Sequence, residues 1–195
     1  LVVRIFRSPA TTRRFFRDRK SRKGYESLSR GIIAAGAGDI QGASRHAAVA
    51  GKALPDEPLV NVLAAQAAQL KGDRQAVRRI FEDMVKSPET EALGLRGLFT
   101  EARQAGNIAE ARLHAERALR GNPRLGWASS AMLQLQSLGK DWTAAIETLR
   151  QQAKSGLIPA AESDRKQSAL LTAQALEWEE QRPSEALESA LRAHR

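Results

Sequence analysis

An all-α fold, a right-handed α–α superhelix of about five helical hairpins, is what the sequence predicts, and three observations lead to it. The first is composition. The 195-residue chain is rich in Ala, Leu, Gln, Glu and Arg, all good helix formers, and short of the β-branched alternation that strands need. The second is a repeat. Asp39, Asp73, Asn107 and Asp141 follow one another at steps of 34 residues, each after a glycine-containing turn. Ala43, Val77, Ala111 and Ala145 keep the same step, as do Ala47, Phe81, Ala115 and Leu149, and then Ala50, Met84, Ala118 and Gln152. Internal repetition at this period marks a solenoid of helical hairpins. The third is punctuation. Pro55, Pro88 and Pro123 close successive units within one residue of that register, where proline stops a helix.

Each element follows from these columns. Ile40, Ala43, Ala47, Ala50 and Leu54 fall on one stripe of a helix, with alanines small enough to let a neighbour approach closely. The aspartate or asparagine before the stripe is a helix N-cap, and its side chain accepts from a free N–H of the first turn. First helices are predicted near 25–37, 57–71, 89–105, 124–138 and 160–181, and second helices near 40–53, 74–86, 108–120, 142–155 and 184–194. Pro58 alone falls inside a predicted helix, in a first turn where it is tolerated. The fifth unit is out of phase: Ala186 follows Ala145 by 41 residues, so 7 extra residues belong to a lengthened helix around "LLTAQALEWEEQRP". Ala186, Ala190 and Ala193 continue the small-residue stripe.

Charge divides the chain into a head, residues 1–23, and a repeat region, residues 24–195. The head carries nine basic residues and one acid, Asp18, for a net +8 of the chain's +9. The repeat region is nearly neutral, with 22 basic and 21 acidic side chains. There is no cysteine, so neither a disulfide framework nor a thiolate metal site exists. The sequence begins "LVVRIF" at Leu1 rather than Met, and those apolar residues read as the last turn of a removed membrane span or, alternatively, as a disordered tail. A basic cluster after such a span places the body in the cytoplasm. Arg13, Arg14, Phe15, Phe16, Arg17, Arg19, Lys20, Arg22 and Lys23 suit an anionic membrane surface, with phenylalanine at headgroup level and cations meeting lipid charge. The same residues suit single-stranded nucleic acid, a reading placed second because the repeats lack a basic stripe.

The Gly-Asp turns, the second-helix alanines and the closing prolines resemble the tetratricopeptide repeat over residues 24–195. The first-helix tryptophan of that repeat is replaced by Ser27, Asn61, Leu95 and Ser129, so its usual peptide-clamp residues do not carry over. The order "RKGYESLSRGIIAAGAGD", "LPDEPLVNVLAAQAAQLKGD", "SPETEALGLRGLFTEARQAGN", "NPRLGWASSAMLQLQSLGKDW" and "LLTAQAL" resembles the bacterial HemY family. The resemblance implies an inner-membrane protein with a repeat region, linked by name to late haem (porphyrin) biosynthesis. It also explains residues 1–23 as a membrane-exit segment. The flavin-dependent protoporphyrinogen oxidase that shares the name is unrelated, and the chain has no GxGxxG fingerprint.

No catalytic constellation appears: no HExxH, no P-loop, no cysteine nucleophile and no Ser/His/Asp order. The protein reads as a non-enzyme without a cofactor. His46 and His114 sit at equivalent places two repeats apart, too far to share a metal. They are expected as solvated helix-surface rings, with axial haem ligation as the alternative; His194 lies near the chain end. Short acidic runs (Glu89 and Glu91; Glu177, Glu179 and Glu180) read as solvated faces. The remaining candidate is the first-helix face that lines the inside of a solenoid. Arg96, Thr100 and Arg103 stand at i, i+4 and i+7; Gln66 and Gln69 are the counterparts of the last two one repeat earlier, and Ser130, Gln134 and Ser137 the full set one repeat later. This polar ladder reads as a groove for a protein partner. The sequence thus points to a membrane-tethered adaptor near haem-pathway enzymes, with a porphyrin or haem carrier as the alternative.

Overall fold

The structure is a computed structural model, and it describes residues 9–194, with side chains from Arg19 onward. Ten helices and no strand occur among the described residues: α1 (Pro9–Gly36), α2 (Ile40–Ala53), α3 (Pro58–Lys71), α4 (Arg74–Met84), α5 (Glu91–Gln104), α6 (Ile108–Gly121), α7 (Gly126–Leu138), α8 (Trp142–Lys154), α9 (Ala160–Trp178) and α10 (Pro183–Ala193). Two compact units result, residues 1–90 and 91–195. The first holds the hairpins α1/α2 and α3/α4, and the second holds α5/α6, α7/α8 and α9/α10.

The 34-residue landmark is one device used four times. Gly38, Gly72 and Gly106 adopt φ of 74°, 75° and 74°, a left-handed conformation that glycine enters at no steric cost. The following residue donates its N–H back five positions: Asp39 to the Ala34 carbonyl (2.8 Å), Asp73 to Ala68 (3.0 Å), Asn107 to Ala102 (2.9 Å) and Asp141 to Gln136 (2.9 Å). That is the Schellman closure of the first helix. The same residue caps the second helix, accepting from Gly42 N (2.8 Å), Ala76 N (3.0 Å), Glu110 N (3.1 Å) and Ala144 N (3.3 Å). One Asx residue therefore ends one helix through its backbone and starts the next through its side chain. Each cap contributes about 1 kcal/mol. In the fourth turn Lys140 holds the left-handed place at φ 58°.

Burial follows the columns. Ala43, Val77, Ala111 and Ala145 are at most 2% exposed, and Ala50, Met84, Ala118 and Gln152 at most 3%. In the first unit Leu28, Ala50, Leu54, Val60 and Leu63 form the core. In the second unit Phe99, Ala102, Ala111, Ala115, Ala131, Met132 and Leu135 do so, with Trp127 packed alongside, its ring centroid 5.7 Å from that of Phe99. Small residues on the second helices bring backbones together, and the larger Leu, Phe and Met side chains fill what remains.

Three expectations need correction. The first helix does not begin near residue 25: α1 runs unbroken from Pro9, because nothing in "RDRKSRKGYES" forbids helix and Gly24 is retained inside it. Gly24 is buried there, since a Cβ on it would lie 2.8 Å from Ala53 Cβ. The stripe of α10 passes through Ala186, Ser189 and Ala193 rather than Ala190, which is exposed. His46 and His114 are half-buried rather than solvated. The extra length of the fifth unit does go into its first helix: α9 has 19 residues, against 14, 14 and 13 in α3, α5 and α7.

Candidate functional site

The candidate face is built by the first helices of the hairpins, and each unit carries its own part. In the first unit, the apolar side of α3 (Val60, Leu63, Ala67) is buried, which turns Gln66 and Gln69 outward. Both are exposed, and among the described residues neither side-chain amide has a hydrogen-bond partner. They line a cavity of about 440 Å³ between the C-terminal ends of α1 and α3, together with Ile32, Ala35, Gly36 and Leu70.

In the second unit, α5 buries Leu95, Leu98, Phe99 and Ala102, which leaves Arg96 and Arg103 exposed. The Arg103 guanidinium lies over the Phe99 ring, 5.8 Å from its centroid, a cation–π contact that holds the long side chain against the helix. Thr100 is half-buried and donates its hydroxyl to the Arg96 carbonyl (3.0 Å); Ser137 on α7 does the same to Leu133 (2.8 Å). Those two hydroxyls are satisfied within their own helices and offer a partner only acceptor capacity. Ser130 and Gln134 are exposed on α7.

Of the basic head, Arg19, Lys20, Arg22 and Lys23 are exposed on α1. The side chains of Arg13, Arg14, Phe15, Phe16 and Arg17 lie outside the described residues. No helix among the described residues is long and apolar enough to cross a membrane. His46 belongs to the first unit and His114 to the second, where the His114 Nε2 stands 3.6 Å from a Glu110 carboxylate oxygen. No group of three or more His, Cys, Asp or Glu able to hold a metal occurs among the described residues.

The sequence did not announce two other features. Tyr25 donates its hydroxyl to Glu57 (2.8 Å), tying α1 to the loop ahead of α3; the hydrogen bond and the carboxylate charge raise the tyrosine above its usual pKa. In the last hairpin a cleft of about 450 Å³ opens among α8, α9 and α10, walled by Glu147, Arg150, Trp178, Glu188 and Arg192. Its floor holds a chain of bonds in which the buried Ser189 donates to the buried Gln174 (3.0 Å) and Gln174 to the exposed Thr143 (3.3 Å). Residues this far apart in sequence meet only through packing, so no spacing rule could have found them.

Comparison with known proteins gives a family match and likenesses to solved structures. Residues 1–72 match the family described as HemY protein N-terminus. A solved structure described as "Functional Characterization of Pseudomonas Aeruginosa pilF" is 14% identical, with a TM-score of 0.45, over 90% of this chain and 99% of that one. No curated protein matches the chain. The family match begins in the basic head and runs through the first hairpin and α3 to the Gly72 turn, so the first 72 of the chain's 195 residues are similar to the HemY family.

Proposed function

We propose that the protein is a membrane-tethered scaffold that binds other proteins through the outward face of its first helices, without catalysis. The observation that carries this reading is the division of labour within each hairpin. Small residues at 34-residue steps are buried on the second helices, while the first helices turn Gln66, Gln69, Arg96, Arg103, Ser130 and Gln134 to solvent. The buried columns fix the scaffold, so the exposed first-helix positions are free to vary with the partner. Basic residues on α1, of which Arg19, Lys20, Arg22 and Lys23 are exposed, provide a collar for an anionic bilayer, each contributing about 1 kcal/mol near the surface. The reading places the protein at the bacterial inner membrane with the repeats on the cytoplasmic side, near enzymes of late haem biosynthesis. Tethering raises the effective concentration of whatever the repeats hold.

The test is affinity capture from membranes with the intact protein, repeated with Arg96→Ala plus Arg103→Ala and with Gln66→Ala plus Gln69→Ala. Loss of a reproducible partner with either pair supports the groove, and retention of every partner by both refutes it. Vesicle flotation tests the collar. Replacing Arg19, Lys20, Arg22 and Lys23 with glutamine should release the protein from phosphatidylglycerol-containing vesicles and leave its negligible binding to phosphatidylcholine unchanged.

A further inference from the structure

We infer that the cleft among α8, α9 and α10 is a site for a small zwitterion, a molecule whose amine and carboxylate are separated by a short carbon chain. The site is separate from the first-helix faces and does not depend on the scaffold reading. The cleft holds about 450 Å³, within the range of small-molecule sites. Its charges are sorted along its length. Helices joined by tight turns are antiparallel, so the alternate helices α8 and α10 run in the same sense. Glu147 on α8 and Glu188 on α10 stand 41 residues apart, the step that also relates Ala145 to Ala186. Arg150 follows Glu147 by three residues, and Arg192 follows Glu188 by four. Glu185, one turn before Glu188, adds to the acidic side. One end of the cleft is therefore acidic and the other basic, about 5–6 Å apart along the helix axes.

Two of these charges are free to meet an occupant. Glu188 and Arg192 have the i, i+4 order that pairs Glu26 with Arg30 and Glu162 with Lys166, each at 2.6 Å. Among the described residues, however, neither Glu188 nor Arg192 has an ion-pair or hydrogen-bond partner. Glu147 and Arg150 hold each other loosely, at 3.9 Å. Between the two ends the floor is uncharged. Ile146 and Leu171 are buried there and offer hydrocarbon to a methylene chain. Gln174 and Ser189 are also buried, and the Gln174 amide gives one N–H to Thr143 and keeps a second for a carbonyl or hydroxyl of the occupant. A purely apolar molecule would strand that N–H, and a molecule of single charge would leave one end of the cleft without its counter-charge. Charge complementarity therefore selects an occupant with both.

The experiment titrates the full-length chain with δ-aminovalerate, valerate and pentylamine and follows the indole N–H signals by NMR. The zwitterion should give a saturable shift at Trp178, which walls the cleft, and none at Trp127, which packs on Phe99. Each single-charge probe should bind about fivefold more weakly, the effect of losing one exposed ion pair. Glu188 and Arg192 are exposed, so their substitution does not threaten folding. Glu188→Gln should remove the preference for δ-aminovalerate over valerate and keep that over pentylamine. Arg192→Gln should do the reverse. This exchange of preferences is a readout that a general loosening of the last hairpin would not produce. Absence of saturation at Trp178, equal binding of all three probes, or the same response to both substitutions would overturn the inference.

Discussion

Substituting Gly24 by alanine tests the architecture at the point where the basic head meets the repeats. In an isolated helix the change is favourable by about 1 kcal/mol, because glycine loses more backbone entropy than alanine. Here the added Cβ would sit 2.6 Å from Leu54 Cγ and 2.8 Å from Ala53 Cβ. The Ala53 Cβ is fixed to the backbone of α2, so a whole helix must move, and such overpacking costs about 1–3 kcal/mol. Sterics should win, with a net loss of about 1 kcal/mol. Gly51 on α2 is the control: its Cβ would meet nothing nearer than Val60 Cγ1 at 3.6 Å, so Gly51→Ala keeps a gain of about 0.5–1 kcal/mol. The two variants should therefore differ by roughly 1.5–2 kcal/mol, or about 10–30-fold in the opening equilibrium. Amide hydrogen exchange of α1 and α2 reads this directly, for instance at the Leu54 N–H, which bonds the Ala50 carbonyl at 2.8 Å. Equal or greater protection in Gly24→Ala than in Gly51→Ala would mean that α1 does not pack against α2 at residue 24, and the first hairpin as described would be wrong.

Three further outcomes are expected. Tyr25 is the only tyrosine, so its absorbance titration is unambiguous: the midpoint should lie above 10 and return to the ordinary value in Glu57→Gln. Because folding raises this pKa, the Tyr25–Glu57 bond supports the fold below about pH 10 and is lost as pH climbs through the folded value, a sign that urea midpoints measured at pH 8 and pH 11 can check. Gly106→Ala, at φ 74°, should cost about 1–2 kcal/mol by thermal unfolding, whereas Gly121→Ala, with no neighbour within 4 Å and no positive φ, should not destabilise. Ser189→Ala leaves the buried Gln174 Oε1 without its donor and should lower stability by about 1–3 kcal/mol, with Ser189→Thr recovering part of the loss.

The second helices were legible almost to the residue, and the reason is local. Asp39, Asp73, Asn107 and Asp141 each complete a helix end and a helix start within three residues of themselves, so their chemistry is visible in any window that contains them. The start of α1 was not legible, because a basic segment has no apolar period and helix formation there follows from continuity with a packed hairpin. Thr100 and Ser137 sit at ladder positions, but a helical threonine or serine can bond its own i−4 carbonyl, and pattern alone does not say when it does. The Gln174 chain and the Tyr25–Glu57 tie join residues 15, 31 and 32 positions apart, which only the fold brings together.

The same contrast locates specificity. At a column position such as Ala111 or Ala145, fully buried between helices, a larger residue would push the hairpins apart, so these places are held to small side chains by packing alone. Ala47, Phe81, Ala115 and Leu149 show the limit of that rule, since one column holds side chains of very different volume. On the exposed first-helix faces no such constraint acts. Gln69 in one unit and Arg103 in the next stand 34 residues apart, an uncharged side chain and a cation at the same repeat position. On the proposed scaffold reading, a difference in charge between equivalent exposed places would let the repeats discriminate between partners.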